Sequence, residues 1–187
     1  MTINSPIPPL KGIGLIIGLG NPGKDYENTY HNAGYLAIDY LIDKLHAQNT
    51  STSKRHFVAF ETEHLYLVKS VVFMNQSGAA VSEAIRFFKI RPDQTLIIHD
   101  ESDLEIGKFK ISFGRGGAGH NGIASIFSHL KTKNFWRLRL GIRPPSRATR
   151  RMPASRFVLK KIKPEHLKTL YSVLGGATEK FIENEKP

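Results

Sequence analysis

Ile16 to Tyr35 reads I-I-G-L-G-N-P-G-K-D-Y-E-N-T-Y-H-N-A-G-Y. An apolar run enters a Gly/Asn/Pro turn. A polar loop follows, and His31 and Asn32 then stand at the start of an amphipathic stretch. Polar groups collected just past the carboxyl end of a strand are where open α/β sheets do their chemistry. Leu36, Tyr40, Leu41 and Leu45 recur at helical spacing, which predicts a helix over Asn32–Gln48. Ile13–Gly18 is short and apolar and predicts a buried strand.

Outward from this stretch, helices and strands alternate. His46–Lys54 reads as a polar loop. His56–Thr62 and His64–Ser70, rich in Phe, Tyr, Val and Leu, read as a hairpin. Ser77–Lys89 repeats Val81, Ala84, Ile85 and Phe88 at helical spacing. Arg91-Pro92-Asp93 breaks the chain, and Thr95–His99 is a second buried strand, followed at once by Asp100 and Glu101. Lys108–Phe113 alternates as a strand, and Gly114–Gly122 is a glycine-rich loop feeding a helix. Trp136–Ile142 is a strand with arginines on one face. Phe157–Leu159 reads as a short edge strand, and Pro164–Asn184 as a final helix weakened at Gly175-Gly176. The pattern predicts an α/β fold: a single domain over residues 1–187 with a twisted mixed β-sheet flanked by helices, and residues 1–12 a loose lead-in.

The 187 residues carry a net charge of +11 and no cysteine. The missing thiols exclude disulfides, thiolate zinc sites and a cysteine nucleophile. No apolar run approaches the ~20 residues of a membrane span, and no signal peptide is read at the N-terminus. Between Glu105 and Glu165 lie 15 of the 27 basic residues and no acidic one, so the rest of the chain is slightly acidic. Charge segregated in this way points to a phosphate-rich partner.

Gly18, Gly20 and Gly23 satisfy G-x-G-x-x-G, but the context does not suit a dinucleotide. Lys24 to Tyr30 intervenes before any helix, and Asp39 and Asp43 fall inside a helix instead of ending a second strand. The glycines fit a turn that brings backbone close to a ligand. His31 is the leading general base. Asp100 is placed to fix its tautomer and stabilise its protonated form, leaving the other ring nitrogen to take a proton. With no cysteine and no G-x-S-x-G, water is the simplest nucleophile. His99, Asp100, Asp103 and His120 could be drawn as metal ligands, but no H-E-x-x-H or comparable spacing appears, so no metal and no cofactor are expected. Asn21, Asn75 and Asn121 occupy three separate turns and suggest a site that holds an acyl group and a sugar. Tyr26, Phe73 and Met74 offer flat or soft surface for a base or ribose.

G-L-G-N-P-G…Y…T-x-H-N, F-M-N-x-S-G, H-D-x-x-D-L and G-x-x-G-H-N-G stand in this order from about Ile16 to Leu159. In motif and spacing the chain resembles the bacterial-type peptidyl-tRNA hydrolase family. The resemblance implies hydrolysis of the ester joining a peptide, or an N-blocked amino acid, to the 3′ ribose of tRNA. It implies that His31 is the base, that Asp100 orients it, and that Asn21 distinguishes blocked from free aminoacyl ends. Tyr26, Phe73, Asn75 and Asn121 would line the site, and Lys110 and Arg139 match positions that grip the tRNA 5′ phosphate. The expected partner is peptidyl-tRNA, with no DNA, no membrane and no obligate protein partner, for a cytoplasmic monomer. A non-catalytic RNA-binding domain is the competing reading. The chain departs from the family pattern at Tyr30, where an arginine is usual, at Lys69-Ser70, in the shortened Gly141-Ile142-Arg143-Pro144 turn, and in a short last segment.

Overall fold

Parallel pairing at the middle of one sheet sets the architecture. In the computed structural model, which describes residues 12–145 and 152–183, β1 (Leu15–Gly18) lies between β4 (Tyr66–Ser70) and β5 (Thr95–Glu105) and runs parallel to both. β5 is parallel to β7 (Trp136–Arg143), and β6 (Phe109–Phe113) closes that edge antiparallel to β7. On the other side β3 (Phe57–Glu61) and β2 (Gln48–Ser53) add antiparallel strands. The seven-stranded order is β2-β3-β4-β1-β5-β7-β6. The sheet is mixed, as the alternation of elements predicts.

Strand alternation divides the core in two. Ile16, Leu67, Leu96, Ile98, Leu138 and Leu140 face α1 (Ala33–Leu45) and α5 (Pro164–Glu183). Leu15, Ile17, Phe57, Val68 and Ile97 face α2 (Ser77–Phe88) and α3 (Asn121–Leu130). Leu36, Ile38 and Leu41 of α1 are buried at 9% exposure or less. Each contributes roughly 1.5–3 kcal/mol of transfer free energy. Intrinsic helix preferences differ by only a few tenths per residue, so packing holds this helix in place.

Four expectations change. The polar segment after α1 is β2, an edge strand whose Q-N-T-S-T-S composition hides it from an apolar reading. β5 does not stop at His99; it pairs with β7 through Glu101 and again at Glu105, across a register shift. Asp100 and Glu101 are therefore strand residues. Residues 154–157 form a short helix, α4 (Ala154–Phe157), instead of leading into an edge strand; only Lys161 bridges, to Thr29. α5 runs unbroken through Gly175-Gly176. The expected lead-in lies outside the described residues apart from Gly12, as do Arg147, Arg150, Arg151 and Asn184. Among the described residues no helix is long and apolar enough to cross a membrane.

Candidate active site

Because β1 and β5 are parallel, the segments leaving their carboxyl ends emerge at the same edge of the sheet. The chain after β1 passes Gly20 and Asn21 and returns through a 3-10 turn, Tyr30–Asn32, into α1. Gly18 and Gly20 have a structural reason that differs from the ligand approach expected of them. A Cβ on Gly18 would collide with the Gly34 carbonyl of α1, and one on Gly20 would lie 2.6 Å from the Tyr35 ring. These glycines let α1, which starts directly after the turn holding His31, sit down on the sheet. Gly23 has φ +98°, which favours glycine.

His31 Nδ1 lies 2.8 Å from Asp100 Oδ1. Asp100 is 2% exposed. Burial opposes its ionisation, but the facing His120 and His31 rings outweigh burial and hold the carboxyl well below the usual carboxylate range. An ionised carboxylate only accepts, so the ring proton sits on His31 Nδ1 and Nε2 presents its lone pair. That is the tautomer a general base requires.

The same Oδ1 receives a second donor, His120 Nε2 at 3.0 Å. His120 caps α3: its Nδ1 accepts from the Gly122 and Ile123 amides at 3.1 and 3.4 Å. The proton of its neutral ring is therefore on Nε2, pointing at Asp100. His31, Asp100 and His120 offer ligand atoms within 4.8 Å of one another. A cation at His120 Nε2 would require that ring to give up its last proton, so the donor set suits a hydrogen-bonded relay better than a metal. His99 lies beside His120, ring centroids 4.6 Å apart, and its Nδ1 donates to the Asp100 carbonyl at 2.6 Å. Burial, with the neighbouring His120 ring, pushes His99 well below the usual histidine range and keeps it neutral.

Asn21 is held on three sides. Its N–H donates to Asn32 Oδ1 at 2.8 Å, its carbonyl accepts from Asn32 Nδ2 at 3.0 Å, and its Oδ1 accepts from the Met74 amide at 2.7 Å. With Oδ1 engaged, the Asn21 amide nitrogen is left as a donor. Met74 itself differs from expectation. Its side chain is 4% exposed, with Sδ close to Gly122, so it supports the site from below and offers no surface to a ribose.

Tyr26 and Phe73 meet edge to face with centroids 6.0 Å apart, and Phe73 is 50% exposed. Asn75 and Asn121 are both exposed, one on the turn after Phe73 and one opening α3, and that turn packs against α3. Lys110 and Arg139 are direct cross-strand partners on β6 and β7. Lys110 is exposed, while Arg139 Nε and Nη2 donate to the buried Glu101 at 2.9 and 2.7 Å. The basic half is not all surface: Arg137 is buried, with Nη2 donating to the Arg115 and Gly116 carbonyls at 3.0 and 2.8 Å. Burial and the nearby Arg139 lower its guanidinium to about 10.

Sequence reasoning weighed His120 only as a metal ligand and gave Asn32 no role. The signal for His120 was its position immediately before a helix, where a side-chain acceptor serves exposed amides; Asn32 also precedes a helix but makes no capping bond, its amide pairing with the Asn21 backbone instead.

The family model described as peptidyl-tRNA hydrolase matches residues 15–184. A peptidyl-tRNA hydrolase of Bordetella avium is 46% identical over 153 residues, covering 79% of this chain and 73% of that protein. One of Cupriavidus necator is 39% identical over 176 residues, covering 89% of each. The crystal structure of an Arg119Gln mutant of the Acinetobacter baumannii peptidyl-tRNA hydrolase superimposes with a TM-score of 0.80 at 33% identity, over 93% of this chain and 90% of that one. The family model spans most of the chain, these relatives match it over most of their length, and the chain belongs to the peptidyl-tRNA hydrolase family.

Proposed function

We propose that this chain hydrolyses the ester between a peptide, or an N-blocked amino acid, and the 3′ ribose of tRNA, with His31 as the general base. The observation that carries the reading is the 2.8 Å bond from His31 Nδ1 to Asp100. It leaves Nε2 to take a proton from water as that water attacks the ester carbonyl. Asp100 stabilises the imidazolium that forms, and His120 donates to the same Asp100 oxygen. The proton then passes to the departing ribose oxygen. The Asn21 amide nitrogen, its group held by the Met74 amide, serves as a fixed donor for the acyl end, where it reads a blocked α-nitrogen or steadies the developing oxyanion. An aminoacyl ester is already activated, so a base and one or two donors suffice without a metal.

Tyr26, Phe73, Asn75 and Asn121 form the surround for the 3′ end, and Lys110 with Arg139 forms the phosphate grip. The substrate is a product of translation, which assigns the enzyme to the cytoplasm. The reading needs no DNA, membrane or obligate protein partner, and a monomer suffices.

The test is release of N-acetyl-aminoacyl groups from tRNA in the presence of a chelator. Wild type should turn over. His31→Ala should lose about 10²–10⁴-fold in kcat while still binding tRNA. Full turnover by the variant would remove His31 from the role of base. RNA binding without any turnover by wild type would leave only an RNA-binding domain.

A further inference from the structure

The residue before His31 is Tyr30, 3% exposed, and its surroundings extend the site into the last third of the chain. Its ring stacks on Phe157 with centroids 4.6 Å apart and planes at 23°. Phe157 also carries the Arg143 guanidinium carbon 4.2 Å from its centroid. The Tyr30 hydroxyl lies 2.6 Å from His166 Nδ1 in the first turn of α5. The backbone follows the same course. Tyr30 N–H donates to the Lys160 carbonyl at 3.0 Å, His31 N–H to Val158 at 2.8 Å, and Ile162 N–H to Asn28 at 2.7 Å. Lys161 Nζ donates to the carbonyls of Lys24, Asp25 and Glu27, the loop that holds Tyr26.

We infer that Tyr30 is a positioning residue for His31, clamping the Tyr30–Asn32 turn to α4 and α5 through Phe157 and His166. The inference rests on the reading of His31 as base. The imidazole is tethered at its ring end by one bond to Asp100. Its other end is set by the turn, and the turn is set by this clamp. Burial raises the Tyr30 hydroxyl and keeps it protonated, and the His166 tautomer sets which partner of the bond donates. The coupling of the last helix to the base is therefore built on tyrosine in this chain.

Tyr30→Phe keeps the ring and its stack and removes only the hydroxyl. His166→Ala removes the hydroxyl's partner, and His166→Gln restores one that can donate or accept. Tyr30→Phe and His166→Ala should each lower kcat about tenfold, as a small misplacement of a base does, with KM unchanged; His166→Gln should recover most of it. In ¹⁵N-histidine-labelled protein the His31 Nδ1–H resonance should shift or broaden in Tyr30→Phe. In a His31→Ala background Tyr30→Phe should add no further loss. A lower melting temperature with kcat and the His31 resonance unchanged would reduce Tyr30 to a structural brace, and an equal loss in the His31→Ala background would do the same. Should His31→Ala alone retain turnover, the base reading fails, and the His31 resonance decides the positioning by itself.

Discussion

Asn32 and Asn21 close a two-bond ring: Asn32 Oδ1 accepts from the Asn21 amide and Asn32 Nδ2 donates to the Asn21 carbonyl. Both residues are buried. The ring ties the turn after β1 to the residue that follows His31, so one side chain spaces Asn21 from His31. Asn32→Ala would strand two buried backbone groups at a cost of about 1–3 kcal/mol each. The expected result is a lower urea midpoint and a fall in kcat. An unchanged midpoint would mean that water replaces both bonds without loss.

His120 does two separable things. It caps α3 through Nδ1 and donates to Asp100 through Nε2. His120→Ala should lose both, including about 1 kcal/mol for the cap. His120→Ser restores a capping oxygen but cannot reach Asp100. Thermal unfolding of the serine variant should approach wild type while its kcat stays with the alanine variant. Equal recovery of stability and rate would make His120 a cap alone.

Asp100 makes stability depend on pH, with a definite sign. Its native carboxyl titrates well below the usual range, because the two ring donors outweigh burial. In the unfolded chain it titrates near about 3.9. Below that value the unfolded chain takes up a proton that the native state refuses, so stability falls with falling pH and is fully present above. Asp100→Asn has no such group. Denaturant midpoints between about pH 5 and pH 3 should therefore fall less steeply for the variant than for wild type. Parallel curves would place the acid sensitivity in other carboxylates.

Much of this site was legible because its polar residues follow apolar runs. T-L-I-I announces β5, and Asp100 stands two residues past that run. What stayed hidden is where polar sequence behaves as core. β5 continues past His99 with Asp100 and Glu101 buried because their carboxylates find donors in His31, His120 and Arg139, which periodicity cannot show. The turn asparagines look alike in sequence, yet Asn21 is buried in a network while Asn75 and Asn121 are exposed. Gly18 and Gly20 resemble a nucleotide loop, but the neighbours that demand them are Gly34 and Tyr35 of the chain itself. α4 and the Lys161 bridge arise from contacts with the Asn28–His31 turn more than a hundred residues earlier in the chain, a pairing no local pattern encodes.

The pairing of Lys110 with Arg139 across β6 and β7 places two cations side by side at the sheet edge. Arg139 is oriented by Glu101, which is buried and fixed in turn by the Asp103 amide at 3.1 Å. If the pair holds a phosphate, Lys110→Ala and Arg139→Ala should raise KM for acylated tRNA without changing kcat. Each should also reduce the slope of log affinity against log salt by about 1. The measurement is KM for N-acetyl-aminoacyl-tRNA across a salt series. Slopes identical to wild type would move the phosphate contact elsewhere in the basic half.

Two helical glycines give opposite forecasts. In a helix interior alanine is favoured over glycine by about 1 kcal/mol. At Gly176 of α5 a Cβ meets nothing within 4 Å, so Gly176→Ala should raise the melting temperature. At Gly34 of α1 the same atom would collide with the Ile98 carbonyl and lie 2.5–2.6 Å from the Leu19 backbone. These are backbone atoms of the central strand β5 and of the segment leaving β1, and they cannot swing aside as a flexible side chain would. Overpacking of this kind costs about 1–3 kcal/mol, enough to cancel or exceed the gain in helix preference. Gly34→Ala should therefore unfold at lower temperature than wild type. Because α1 starts directly after His31 and Asn32, any outward shift of the helix that relieves the clash also moves His31, so turnover per folded molecule should fall as well. A Gly34→Ala protein of wild-type stability and rate would show that α1 can lift from the sheet without disturbing the imidazole.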